Sequence, residues 1–214
     1  MLKDIQTLIL DMTDVEELKK VINKHLASDV DPLDILDVLR QTLEVVGDKY
    51  EQGEFFLSEL IMAGYLASEV ATLLKPHLLN AQQTALGTVV MGTVKGDVHD
   101  IGKNIVIMML DATGFKVIDL GVDVPTERFV EAVQTMKPDV LGISALLTST
   151  IDRVKEIVDA LKTSGMRDRV KVIAGGRPIT QAFIDEIGAD GYAEDSVKAI
   201  RLVKNLVEGK EVSA

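Results

Sequence analysis

Two hydrophobic rhythms divide the chain. Over residues 1–85 apolar side chains return every three or four positions, the spacing of one face of a helix. In DPLDILDVLRQTLEVVGDKY, Leu36, Leu39, Leu43, Val46 and Tyr50 form one stripe. Asp31 stands at its N-cap and Pro32 at the first helical position, where a missing N–H costs nothing. Gly53 breaks the pattern, and a second stripe follows through Phe56, Leu60, Ala63, Ala67, Val70 and Leu74. Upstream, TDVEELKKVINKHL spaces Thr13 and Glu16 as a capping box. With a weaker opening segment this makes four helices. Their short connections predict a small antiparallel bundle.

From Leu86 the rhythm changes. GTVVMGTV, KVIDLG, DVLGISA, KVIAGG and GYAE read as strands. Between and after them lie IGKNIVIMMLDATG, PTERFVEAVQTMK, STIDRVKEIVDALKTSG, ITQAFIDEIG and SVKAIRLVKNLVEG, all with helical spacing. Strict strand–helix alternation predicts a parallel sheet covered on both faces. Five such units over residues 86–214 predict an α/β, flavodoxin-like (Rossmann-like) domain of strand order 2-1-3-4-5. QQTALG is the expected junction between the two domains, short enough to act as a hinge.

Charge agrees with this division. Residues 1–86 hold 7 Lys/Arg against 15 Asp/Glu, whereas residues 87–214 hold 16 against 19. Neither half offers the basic face that a phosphate backbone demands, so no nucleic-acid partner is expected. The chain has no cysteine, which excludes disulfides and thiolate metal sites. MLKDIQTLILDMTD lacks the basic start and apolar run of a signal peptide. No uncharged apolar stretch nears the roughly 20 residues of a bilayer span. A cytoplasmic protein without a membrane partner is the expectation.

In the order 2-1-3-4-5, ligands bind beyond the carboxyl ends of strands 1 and 3, where the winding reverses. Three unusual loops fall there. The first carries Gly96, Asp97, Val98, His99, Asp100, Ile101 and Gly102, a D-x-H-x-x-G spacing. The second carries Ser144, Leu146 and Thr148, and the third Gly175 and Gly176. Paired glycines serve any tight turn, but they also let a ligand lie against the backbone. Asp97 can hold one ring nitrogen of His99 and leave the other as a metal ligand. The other histidines, His25 and His77, lie in the helical half, and a lone histidine cannot make a protein-only zinc site. A metal held by His99 must bring most of its own ligands, as a metal in a macrocycle does.

The motif string D-x-H-x-x-G, then 41 residues, S-x-L, then 28 residues, GG resembles cobalamin-binding domains of the base-off/His-on kind. The helical half, with its FFLSEL run, resembles the cap of their methyl-transferring members. The whole chain is similar to the corrinoid proteins of methanol, methylamine and methoxyaromatic methyltransferase systems, and to the cobalamin module of methionine synthase. That resemblance implies His99 as the lower axial ligand of cobalt, with Asp97 orienting it. It implies a hydroxyl behind Asp97, at Thr150 or its neighbour Ser149. Ser144, Leu146, Thr148, Gly175 and Gly176 would line the slot for the displaced dimethylbenzimidazole tail, and Phe56, Leu60 and Ala63 would stand over cobalt.

The implied activity is methyl carriage. Cob(I)alamin would take a methyl group from a substrate on a substrate:corrinoid methyltransferase. Methylcob(III)alamin would pass it to a corrinoid:acceptor methyltransferase serving tetrahydrofolate or a thiol. A reductive activase would restore oxidised cobalt, and the chain alone would not be a complete enzyme. Three alternatives compete: the cobalamin subunit of an adenosylcobalamin mutase, a B12-based sensor, and a flavodoxin-like response module without cobalamin. The helical half argues against the first. The second lacks a basic helix-turn-helix, and the third would need an acidic phosphoacceptor cluster.

Overall fold

The computed structural model describes residues 2–78 and 85–209. Half of the QQTALG junction, residues 82–84, lies outside them. Contacts divide the chain into two units, Met1–Thr84 with Met108–Gly114, and Ala85–Ile107 with Phe115–Ala214.

The first unit contains α1 (Lys3–Leu10), α2 (Val15–Ala27), α3 (Pro32–Glu51) and α4 (Leu57–Leu78). α1 packs on α2 and α3, and α4 on α2 and α3, which closes a four-helix ring. The stripes read from the sequence supply its interior. Leu36, Leu39, Leu43 and Val46 are buried on α3, and Leu60, Ala63, Ala67, Val70 and Leu74 on α4. Phe56 departs from its stripe and is 70% exposed. It precedes α4, and its backbone N–H donates to Glu59 at 2.9 Å, a capping contact that takes it off the buried face. A second difference is at α2, where Asp14 rather than Thr13 is the N-cap, its carboxylate accepting from the N–H of Glu16 at 2.9 Å. α4 is long and apolar enough to cross a membrane by length and composition. Its apolar stripe is buried, however, and Lys19 of α2 pairs with its Glu69 at 2.7 Å, as in the core helix of a bundle.

Within the same unit, Arg40 of α3 donates through Nε to the Thr113 carbonyl at 2.7 Å. A Cβ on Gly64 of α4 would overlap the methyl of Met108. That methyl is the far end of a flexible side chain and can move aside, so the glycine marks a close approach and is not strictly required.

The second unit is a five-stranded parallel sheet of order β2-β1-β3-β4-β5. Its strands are β1 (Thr88–Thr93), β2 (Lys116–Asp119), β3 (Val140–Ser144), β4 (Lys171–Gly175) and β5 (Gly191–Ala193). Helices α5 (Ile101–Ala112), α6 (Thr126–Met136), α7 (Ile151–Thr163), α8 (Gln181–Ile187) and α9 (Ser196–Glu208) follow the strands in turn. Each of the five strands and helices expected from Leu86 onward is present. α6, α7 and α8 bury Phe129, Val133, Val154, Ile157, Leu161 and Ile184 against Val90, Leu141, Ile143 and Val172. No residue of α5 or α9 enters that cluster. Right-handed crossovers in this strand order place those two on the opposite face.

Candidate functional site

Register brings the three loops together. Thr93 at the end of β1 pairs with Ser144 at the end of β3, and Ser144 with Gly175 at the end of β4. All three strands therefore stop at one level. The ladder continues one step, with the N–H of Val94 donating to Ser144 O at 3.0 Å and that of Ala145 to Gly175 O at 3.1 Å.

The first loop is pinned from two sides. Gly96 takes φ +83°, where a side chain is strained, and turns the chain back beneath Asp97. Asp123, in the loop after β2, accepts the Gly96 N–H at 2.8 Å and donates its own N–H to Asp97 O at 2.9 Å. Lys95 lies 3.3 Å from the Asp123 carboxylate. The Asp123 carboxyl is held below its ordinary value, chiefly by the Gly96 N–H and then by Lys95. These bonds fix where Asp97 starts.

Asp97 is the hub. It has no solvent-exposed surface. One oxygen accepts from His99 N at 3.0 Å and lies 2.7 Å from His99 Nδ1. The other accepts from Leu146 N at 2.6 Å and Leu147 N at 3.2 Å, both on the loop after β3. Burial alone pushes this carboxyl up. The N–H groups of His99 and Leu146, the His99 ring and the Leu147 N–H outweigh it and hold Asp97 below its ordinary value. Asp97 is thus an anion that ties the first loop to the second.

A carboxylate only accepts, so Nδ1 of His99 carries the hydrogen, and in the neutral ring Nε2 keeps its lone pair. Nε2 has no hydrogen-bond partner among the described residues. The His99 side chain is 49% exposed, and Val98 and Ile101 beside it are 70% and 71% exposed. Leu146 and Leu147 are also exposed apolar residues. A basic nitrogen at a surface of uncovered aliphatic side chains suits a ligand that is a metal with a large apolar periphery.

Other expected residues sort differently. Thr150 is buried, but its hydroxyl donates to Leu147 O at 2.8 Å and stands 3.5 Å from Asp97, too far for a strong second bond. Ser149 and Thr148 are exposed. Of the two hydroxyls, the geometry brings only Thr150 near Asp97. Ser144 is half-buried and its hydroxyl makes no bond among the described residues. Asp100 is exposed and receives the Asn104 N–H at 2.8 Å at the start of α5. Gly102 would place a Cβ in open space, so the chain itself does not require a glycine there.

Gly175 and Gly176 are required by the chain. A Cβ on Gly175 would sit 2.7 Å from Ala193 O, and one on Gly176, at φ +128°, would overlap Ala145 O. Gly176→Ala is expected to lower the stability of the cofactor-free protein by about 1–3 kcal/mol, the cost of a strained backbone position. Urea denaturation checks this; a loss within about 0.5 kcal/mol, that of an ordinary surface change, would contradict it.

Sequence reading did not single out Thr93, Asp123 or Leu147. Thr93 is fully buried and its hydroxyl donates to His99 O at 3.0 Å. The available signal was topological: in the order 2-1-3-4-5 the loop after β2 borders the loop after β1, so its aspartates were within reach.

Do these residues fit a corrin? Among the described residues no three of His, Asp or Glu gather into a metal site. A cobalt ion that brings its macrocycle nitrogens needs one protein nitrogen, and His99 Nε2 supplies one. Exposed Val98, Ile101, Leu146 and Leu147, with open space at Gly102, leave room for a flat apolar ring. The fit is good.

A 2-1-3-4-5 parallel sheet with an aspartate-held histidine at its switch point fits a cobalamin-binding domain. Comparisons with known proteins agree. Two models described as B12 binding domain match residues 87–201 and 2–75. The trimethylamine corrinoid protein of Methanosarcina barkeri is 42% identical over 89% of both chains. Dimethylamine corrinoid protein 2 of Methanosarcina acetivorans is 41% identical over 92% of this chain and 88% of its own. Among solved structures, a cobalamin-binding protein from Desulfitobacterium hafniense superposes with a TM-score of 0.82 at 33% identity, covering 96% of this chain and 98% of that one. The methanol:cobalamin methyltransferase complex of M. barkeri also gives 0.82, at 32% identity and coverages of 96% and 79%. The chain belongs to the B12-binding family of corrinoid proteins.

Proposed function

We infer that this protein carries a methyl group on cobalt between a substrate-specific methyltransferase and an acceptor methyltransferase. The observation that carries the reading is the Asp97–His99 pair, which leaves Nε2 unpartnered beside exposed aliphatic side chains. Bound cobalamin supplies a metal centre that can take up a methyl group and release it; the chain holds and tunes that centre. His99 Nε2 would be the protein nitrogen that holds the cobalt. Asp97 fixes the tautomer and keeps the ring in place. Ser144, Leu146, Thr148, Gly175 and Gly176 are assigned to the nucleotide tail. The helical segment, residues 1–85, is assigned as a cap, with Phe56, 70% exposed, as its candidate contact; Leu60 and Ala63, expected beside it, are fully buried in the bundle and serve its core.

The relatives named for trimethylamine and dimethylamine, and the methyltransferase complex among the solved structures, support a methylotrophic system in which a substrate:corrinoid methyltransferase is the first partner. An acceptor methyltransferase, delivering to tetrahydrofolate or a thiol, and a reductive activase complete the proposed set, working in the cytoplasm. The test is reconstitution with hydroxocobalamin, chemical reduction, and incubation with trimethylamine, dimethylamine and methanol methyltransferases loaded with their substrates. Substrate-dependent methylation of cobalt by one of them is expected, visible in the absorption spectrum. Stable cofactor binding without methylation by any of them would count against the carrier reading.

A further inference from the structure

Lys103 is the anomaly of the second unit. Lysine is among the residues least often buried, yet its side chain is only 1% exposed. Its ammonium satisfies all three hydrogens, donating to the two Asp119 oxygens at 2.7 Å each and to Asn104 Oδ1 at 2.8 Å. Asp119 ends β2, and its Oδ1 also accepts the Gly121 N–H at 2.9 Å. The Gly121 carbonyl accepts the Thr93 N–H at 3.0 Å, and the buried Thr93 hydroxyl donates to His99 O at 3.0 Å. A hydrogen-bonded circuit thus leaves the first turn of α5 at Lys103 and returns to the chain four residues earlier, at His99.

We propose that Lys103, acting through Asp119 and Thr93, is a positioning residue that fixes the main chain of His99 independently of Asp97. The proposal rests on His99 being the axial ligand. Asp97 holds the His99 N–H and ring; Thr93 holds its carbonyl. With the peptide groups on both sides of the His99 Cα clamped, the imidazole has little freedom except rotation about its own side-chain bonds. The alternative is that the ion pair only glues α5 to β2. Only the lysine is buried, since the Asp119 side chain is 39% exposed, and a pair open to water on one side contributes little to stability, so glue alone is a weak reason for so complete a set of bonds.

Two variants of the full chain separate these accounts. Lys103→Met keeps the apolar stem and removes the ammonium. Thr93→Val removes one hydroxyl and nothing else of size. Each is reconstituted with cob(II)alamin and examined by electron paramagnetic resonance for the nitrogen splitting of an axial imidazole, with far-ultraviolet circular dichroism to confirm the fold. The wild type should show the splitting. Both variants should fold and show a His–cobalt equilibrium weakened on the order of 10-fold, as when a metal ligand loses an outer hydrogen-bond partner. Folded variants with the wild-type proportion of split signal would overturn the proposal and leave the pair as glue. If Lys103→Met does not fold, Thr93→Val decides by the same readout. A wild type without nitrogen splitting would instead overturn the axial role of His99, and this inference with it.

Discussion

His99→Ala is expected to remove the nitrogen splitting from the cob(II)alamin spectrum completely and to weaken cofactor retention by at least the 10–100-fold that loss of an outer partner alone costs. The fold should survive. His99 is half exposed, and its ring bonds only to Asp97, which keeps its three backbone donors in the variant. Truncation therefore leaves no buried donor or acceptor unpaired, and an ordinary surface-type loss of about 0.5 kcal/mol is the ceiling for stability. The two measurements must diverge: a large change in the cobalt spectrum and in cofactor release, with a nearly unchanged urea midpoint. A retained splitting in the alanine variant would show that another nitrogen ligates cobalt.

Why was so much of this legible beforehand? The sheet followed from rhythm: a run such as KVIAGG between two helical stretches has few other options, and the order 2-1-3-4-5 then placed all three loops on one rim. The Asp97–His99 pair was legible because two residues of separation is a local matter, decided by one turn. What stayed hidden depends on distant partners. Lys103 reads as a solvated charge on a helix, and only the arrival of Asp119 from β2 makes its burial possible. Phe56 fits an apolar stripe by count, but Glu59 caps the N–H of that residue and starts α4 one position later. Thr150 sat at the expected spacing. Its single proton goes to Leu147 O because that carbonyl is closer than Asp97, a difference of less than one ångström that no spacing encodes.

The glycines carry a related lesson. Gly102, Gly175 and Gly176 look alike in the sequence and serve different ends. Backbone of the neighbouring β5 and of the loop after β3 excludes a Cβ from the last two, whatever is bound. Gly102 has empty space before it, so its requirement comes from a ligand or from nothing.

Asp97 should be the most destabilising position to truncate among the residues of the site. Asp97→Ala leaves the N–H groups of His99, Leu146 and Leu147 without their acceptor in a part-buried junction of two loops. Each unsatisfied buried donor costs about 1–3 kcal/mol, partly relieved here by water and by loop shifts, so a loss of roughly 2–3 kcal/mol is expected. Asp97→Asn should lose less, because its one carbonyl oxygen can still serve one loop, but its amide hydrogens then face donors on the other. The pH dependence follows from the same bonds. The folded carboxyl titrates below its ordinary value of 3.8, so its stabilising effect is fully present above about pH 4 and disappears as the pH falls through the folded value. The stability gap between wild type and Asp97→Asn should therefore be widest near neutrality and narrow toward pH 3. Urea titrations of the cofactor-free proteins at several pH values measure it. A gap that is constant or grows on acidification would mean that Asp97 is not the anionic tie between the two loops, and that Leu146 and Leu147 find other acceptors.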